Sequence, residues 1–121
     1  MASDNFVRWD RQQPTRDEAQ KVIEDFFGEA LKECAWHADR FFVTLIGQSS
    51  HPLMRVVADE IKTKLEVQRP TEPDWQGRFL EVWLGDKSLD VLTRHQDTFT
   101  NVCARGLAAV FAQRWKGRLE E

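Results

Sequence analysis

Four residues of this chain can be drawn together as zinc ligands: Cys34 and His37, three apart, and further along His95 and Cys103. A structural zinc takes four such ligands in a tetrahedron, usually from short paired spacings. Only the first pair has that spacing. Cys103 falls on the same helical stripe as Phe99 and Leu107, where a thiol packs as a small hydrophobe. These residues are therefore read as two core cysteines and two surface histidines, with no metal and no disulfide.

Nucleophilic catalysis has one local set of ingredients, Gly47-Gln48-Ser49-Ser50-His51. It lacks the glycine-serine-glycine framing that holds a serine on a strained turn. Two serines ahead of Pro52 serve more simply as a helix cap. A small-ligand or enzyme pocket near Ser49, Ser50 and His51 is the alternative reading. No glycine-rich loop followed by lysine offers a cradle for phosphates, so no cofactor is expected.

Two basic groups bear on nucleic acid: Arg55, Lys62, Lys64 and Arg69, then Arg105, Arg114, Lys116 and Arg118. Acidic residues are mixed into the first, and neither is interleaved with aromatics in the manner of an RNA-binding module. With a formal net charge of −3 the chain as a whole repels phosphate backbones, so these read as solvated faces and nucleic-acid binding ranks third.

The elements that position these residues are written more clearly than any chemistry. Thr15-Arg16-Asp17-Glu18 is a capping box, with Pro14 closing what precedes it. Ala19, Val22, Ile23, Phe26, Phe27, Ala30, Leu31 and Cys34 then recur at helical spacing, predicting one helix that ends near His37. Phe41 to Ile46 is aromatic and β-branched, apolar on both alternating sets, which predicts a strand covered on both faces. After Pro52, the residues Leu53, Met54, Val57, Ile61 and Leu65 predict a second helix, although Thr63 to Gln68 also alternates as a strand would. Gln68 to Gly77 reads as a loop. Arg78–Leu84 and Leu89–Arg94 flank Gly85-Asp86-Lys87-Ser88 as a hairpin, with Leu80, Val82 and Leu84 on one face and Phe79, Glu81 and Trp83 on the other. A third helix runs from about Phe99 to Leu119, with Gly106 marking a close backbone approach.

These elements predict a single α+β domain over residues 15–121 behind an N-terminal segment 1–14. Their order is helix, strand, helix, strand, strand, helix, and the helices cover a small sheet of three strands. A fourth strand near Val67 or Phe6 would extend it.

Hydrophobic residues make up 41% of the 121 and charged residues 31%, which is a globular composition without a run near the roughly 20 apolar residues of a membrane span. Met1 to Asp10 lacks the basic start and apolar stretch of a signal peptide, so a cytoplasmic location is expected. The main functional lead is an apolar surplus. On the third helix Ala104, Ala108, Phe111, Trp115 and Leu119 form a second stripe, well over a quarter turn from Phe99, Val102, Cys103, Leu107 and Val110. Phe79 and Trp83 add aromatics on the outer hairpin face. Either the chain's own second layer covers these residues, or Phe79, Trp83, Phe111 and Trp115 meet a protein partner. The expectation is a non-enzymatic protein-association domain, self-association being its simplest form.

Overall fold

The computed structural model describes residues 3–47, 49–65, 79–93 and 98–120. The chain runs β1 (Ser3–Arg8), α1 (Arg16–Phe27), a single 3-10 turn (Gly28–Ala30), β2 (Leu31–His37), β3 (Arg40–Leu45), α2 (Leu53–Leu65), β4 (Phe79–Leu84), β5 (Ser88–Thr93), α3 (Thr98–Arg114) and β6 (Arg118–Glu120). All neighbouring strands are antiparallel, in the order β2-β3-β4-β5-β1-β6. This corrects the predicted small sheet of three or four strands that begins with a helix: the sheet has six strands, and a strand comes first.

Two local devices hid the additional strands. The first helix stops at Gly28, whose φ of +49° suits a residue without a Cβ and whose N–H donates to the Glu24 carbonyl. Cys34 and His37 consequently lie on β2, not on a helix. A bulge between Leu31 and Glu33 inserts one residue, so the inward-turned Leu31 and Cys34 are three apart and imitate helical spacing. In β1 the inward residues are Asn5 and Val7, with Trp9 just beyond. Asn5 breaks the apolar alternation, yet it is buried and its Nδ2 donates to the Val91 carbonyl at 3.0 Å. The predicted N-terminal segment thus contributes an interior strand, between β5 and β6.

The capping box of α1 is present in both directions: the Glu18 amide donates to Thr15 Oγ1 at 3.2 Å, and the Thr15 amide to Glu18 Oε1 at 3.0 Å. Those bonds hold the Glu18 carboxyl below its ordinary range. The hairpin of β4 and β5 also forms with the predicted faces, its turn admitting Lys87 at φ +55°.

All three helices lie on one side of the sheet. There Val7, Phe41, Val43, Leu45, Leu80, Val82, Leu89 and Val91 are almost fully enclosed. α3 crosses β1, β5 and β6, α1 lies against β2, and α2 packs on the outside of α3. This gives both stripes of α3 a covering within the chain. At Gly106 an added Cβ would stand 3.0 Å from both Met54 Sδ and Phe26 Cζ, so its absence lets α3 approach α1 and α2. Phe111 and Trp115 turn toward β1, where the Trp9 indole N–H donates to the Phe111 carbonyl at 3.3 Å. α3 ends at Arg114, short of Leu119. Lys116 at φ +54° and a Gly117 N–H donated to the Ala112 carbonyl close it, and the chain returns as β6 beside β1. A Cβ at Gly117 would lie 2.6 Å from the Arg8 carbonyl, so only glycine fits the return.

Candidate functional site

Alternation places the remaining half of the strand residues on the other side of the sheet, where no helix of the described residues lies. A face open to water on an antiparallel sheet ordinarily carries polar side chains. This one carries Phe6, Phe42, Phe79, Trp83 and Leu92, each half-buried, among a few charges. Of the two faces of β3, Phe41, Val43 and Leu45 are in the core, while Arg40, Phe42 and Thr44 sit half-buried on the side on which no helix of the described residues lies.

The register of the sheet assembles the centre of this face. Arg40 pairs with Trp83, Trp83 with Asp90 and Asp90 with Phe6, so four adjacent strands supply one cross-strand row. Phe42, Glu81, Leu92 and Asp4 make the next row in the same way. Arg40 joins the two. Its guanidinium carbon lies 4.4 Å from the Trp83 ring centroid and 4.9 Å from that of Phe42, and its Nη1 meets Glu81 Oε1 at 3.3 Å. Glu81 is only 3% exposed, and Arg40 offsets its charge there. The planar cation stacked on two aromatics is a role that lysine fills poorly.

Three buried polar atoms of the first row have no hydrogen-bond partner among the described residues: Arg40 Nε, Trp83 Nε1 and Asp90 Oδ1. Two are N–H donors and one is a carboxyl oxygen. Asp90 is further distinguished by its pKa, which is pushed up to about 7. Burial is the main cause, followed by a hydrogen bond to the Asp4 carboxyl and the charge of Asp4, while the Asn5 amide pulls the other way. Asp90 therefore holds its proton to near neutral pH, beside the Asp4 carboxyl. The row therefore presents unmatched donors and an acceptor inside an aromatic frame.

The residues singled out in the sequence are dispersed. Phe79 and Trp83 belong to this face. Phe111 and Trp115 lie on the opposite side: Phe111 is fully enclosed, and Trp115 stacks on it at 6.1 Å and meets the Trp9 edge at 6.4 Å. Phe111 therefore offers no surface to a partner. Arg40, Glu81 and Asp90 were missed. The available signal was a charged residue at the centre of an aromatic strand face, as in Phe79-Leu80-Glu81-Val82-Trp83.

Ser49, Ser50 and His51 line a hollow of about 450 Å³ at the start of α2. The buried Ser49 hydroxyl donates to the Phe26 carbonyl and accepts from the His51 amide, while His51 Nδ1 accepts from the Leu53 amide. Serine and imidazole are both spent on capping and do not address each other. Cys34 is half-buried on β2 and Cys103 lies in the core of α3. Burial, helped by the Glu24 charge, pushes the Cys34 thiol up to about 11, so it is no nucleophile. His95 and Arg69 lie outside the described residues. Among the described residues no group of three His, Cys, Asp or Glu side chains could hold a metal, and no helix is long and apolar enough to cross a membrane.

Of the basic residues, Arg118 pairs with Asp10 at 2.8 Å and Arg105 donates to the Glu120 carbonyl. Arg114 and Lys116 line a cleft of about 540 Å³ with Asp10, Arg11, Gln12 and Trp115. They sit at the C-terminus of α3, whose dipole favours cations and disfavours a bound anion. Comparison with known proteins adds no relative: no family model matches the chain, and no curated protein or solved structure is significantly similar to it.

Proposed function

We propose that this chain is a non-enzymatic protein-association domain whose contact surface is the uncovered sheet face, centred on Phe42, Arg40 and Trp83. The observation that carries this reading is the cross-strand row in which Arg40 Nε, Trp83 Nε1 and Asp90 Oδ1 are buried without partners. Buried polar atoms are ordinarily satisfied, and leaving one unmade costs about 1–3 kcal/mol. A protein surface that seats on this face and turns the Arg40, Trp83 and Asp90 side chains outward supplies acceptors for the two N–H groups and a donor for the carboxyl, and covers the surrounding aromatics at the same time. Aromatic and arginine side chains at the centre of a patch are the residues on which association energy concentrates.

The test is a photo-reactive side chain at position 92, which lies on the same face, in the otherwise native protein. The expected product is one dominant protein adduct that disappears when Trp83→Ala is added. The same probe at Arg55, exposed on α2, gives none. Absence of a protein adduct at position 92, or an adduct indifferent to Trp83→Ala, overturns the reading. A small molecule retained in the native mass and lost with Trp83→Ala replaces it with a ligand-binding one.

A further inference from the structure

The sheet has two outer strands, and they are finished differently. β6 is three residues long and pinned from several directions: Arg118 to Asp10 at 2.8 Å, Arg8 Nε to Glu120 Oε1 at 2.9 Å, and Arg105 to the Glu120 carbonyl at 3.4 Å. β2 runs seven residues without proline or glycine, and among the described residues its sheet neighbour is β3 alone. The bulge near Leu31 leaves Glu33–His37 as regular edge. An open edge of this kind is a template for another strand, and the bulge and Lys32 blunt only the start of this one.

The turn between β2 and β3 decides which backbone groups face outward. His37 and Arg40 flank the two residues Ala38 and Asp39, with Ala38 at φ +58°. The pair closing a two-residue turn exchanges both backbone hydrogen bonds, and an antiparallel ladder alternates from there. Ala35–Phe42 and Glu33–Thr44 are then hydrogen-bonded pairs as well. Cys34 and Trp36, opposite Val43 and Phe41, turn their N–H and C=O groups away from β3.

We propose that two copies of this chain join edge to edge through β2, antiparallel and centred on Ala35, merging their sheets into one. In that register Cys34 faces Trp36 of the second copy, and Trp36 faces its Cys34, both as hydrogen-bonded pairs that use the outward groups. Glu33 lies opposite His37 of the second copy, and the reverse, placing a carboxylate beside an imidazole at each end of the seam. Ala35 meets its own symmetry mate in the close, non-hydrogen-bonded position, where small side chains pass without crowding. Glu33, Ala35 and His37 are all exposed in the single chain, so the contact is open to them. The arrangement is isologous and closed, and it sets the two uncovered faces side by side. It uses none of the residues of the Phe42–Trp83 site and does not depend on that reading.

Sedimentation equilibrium of the full chain over a wide concentration range is expected to show twice the monomer mass. Ala35→Lys sets two ammonium groups directly opposite one another and is expected to return a monomer with unchanged circular dichroism and a melting temperature that no longer depends on concentration. In a Cys34→Ser background, Ala35→Cys is expected to form a covalent dimer on mild oxidation, because the Cα separation of such a pair fits a disulfide. Glu33→Cys, offset from its own mate along the strand, should not. A wild-type monomer at every concentration, a dimer that Ala35→Lys leaves intact, or equal cross-linking at positions 33 and 35 overturns the proposal. A dimer lost in Trp83→Ala but kept in Ala35→Lys also overturns it, and places the second copy on the uncovered face.

Discussion

The two faces of one sheet solve the same packing problem to different degrees. On the helix side every large residue is enclosed, and the few polar groups there are matched within the chain, as Asn5 is with Val91. On the other side the side chains are as large, yet they stay half-exposed around a buried ion pair and three unmatched polar atoms. One face is complete without anything else. The difference teaches that burial within the chain holds the fold, while the second face is shaped for more than the fold requires.

The sharpest way to break this comparison is to cut into each face in turn. Phe111→Ala, on the completed side, is expected to lose about 3–5 kcal/mol in denaturant unfolding, because a fully enclosed ring leaves a cavity. Phe42→Ala, on the uncovered side, should lose clearly less. Equal losses would mean that both faces are core.

Next in size is Arg40→Met. It removes one charge partner of the buried Glu81 carboxylate, and a loss of about 1–3 kcal/mol is expected, below that of a fully buried pair because the Arg40 side chain is 29% exposed. Adding Glu81→Leu to the same protein should recover most of it, since a matched apolar pair replaces a buried ion pair at little cost. Failure of the second change to recover stability would show that the pair is not isolated from its neighbours.

Asp90 supplies a pH dependence of smaller size. Its folded pKa is raised above the ordinary 3.8 to about 7, so the contribution of its protonated form is fully present below pH 3.8 and is lost as pH rises through 7. Asp4, Arg8, Arg40, Glu81, Arg118 and Glu120 are charged groups of other strands on the same face, and Asp4 is the hydrogen-bond partner of Asp90. Asp90→Asn stays neutral throughout and is expected to flatten that decline, gaining on the order of 1 kcal/mol over wild type at pH 8 after solvent screening. Parallel stability curves for the two proteins from pH 4 to 8 would remove the raised pKa of Asp90. The smallest expected effect is Trp83→Phe, which deletes an unmatched N–H while keeping a ring for Arg40. Stability should stay within about 0.5 kcal/mol of wild type even as association weakens.

The sequence made these faces legible in proportion to how local their causes are. The Thr15–Glu18 capping box, the β4–β5 hairpin with its two faces and the close approach at Gly106 each rest on a few neighbouring residues, and all are present. β2 was lost because one inserted residue gave it helical spacing. β1 was lost because an inward asparagine broke its pattern, its partner carbonyl lying far along the chain. The end of α3 was overrun because Leu119 continues the helical stripe while also serving β6. Of the candidate site, Phe79 and Trp83 stood out as an aromatic face. Arg40, Glu81 and Asp90 did not, because only the pairing register of separate strands brings them into adjacent rows.

The place of β1 carries a consequence for the ribosome. The first strand to be synthesised sits between β5 and β6, the last two, with Val7 paired to both Leu89 and Leu119. It has no strand to join until β5 has emerged. α1 and the β2–β3 hairpin can form early from neighbours, whereas closure of the sheet waits for β5 and β6, so Val7 and Trp9 stay unsheltered while the elements between are made.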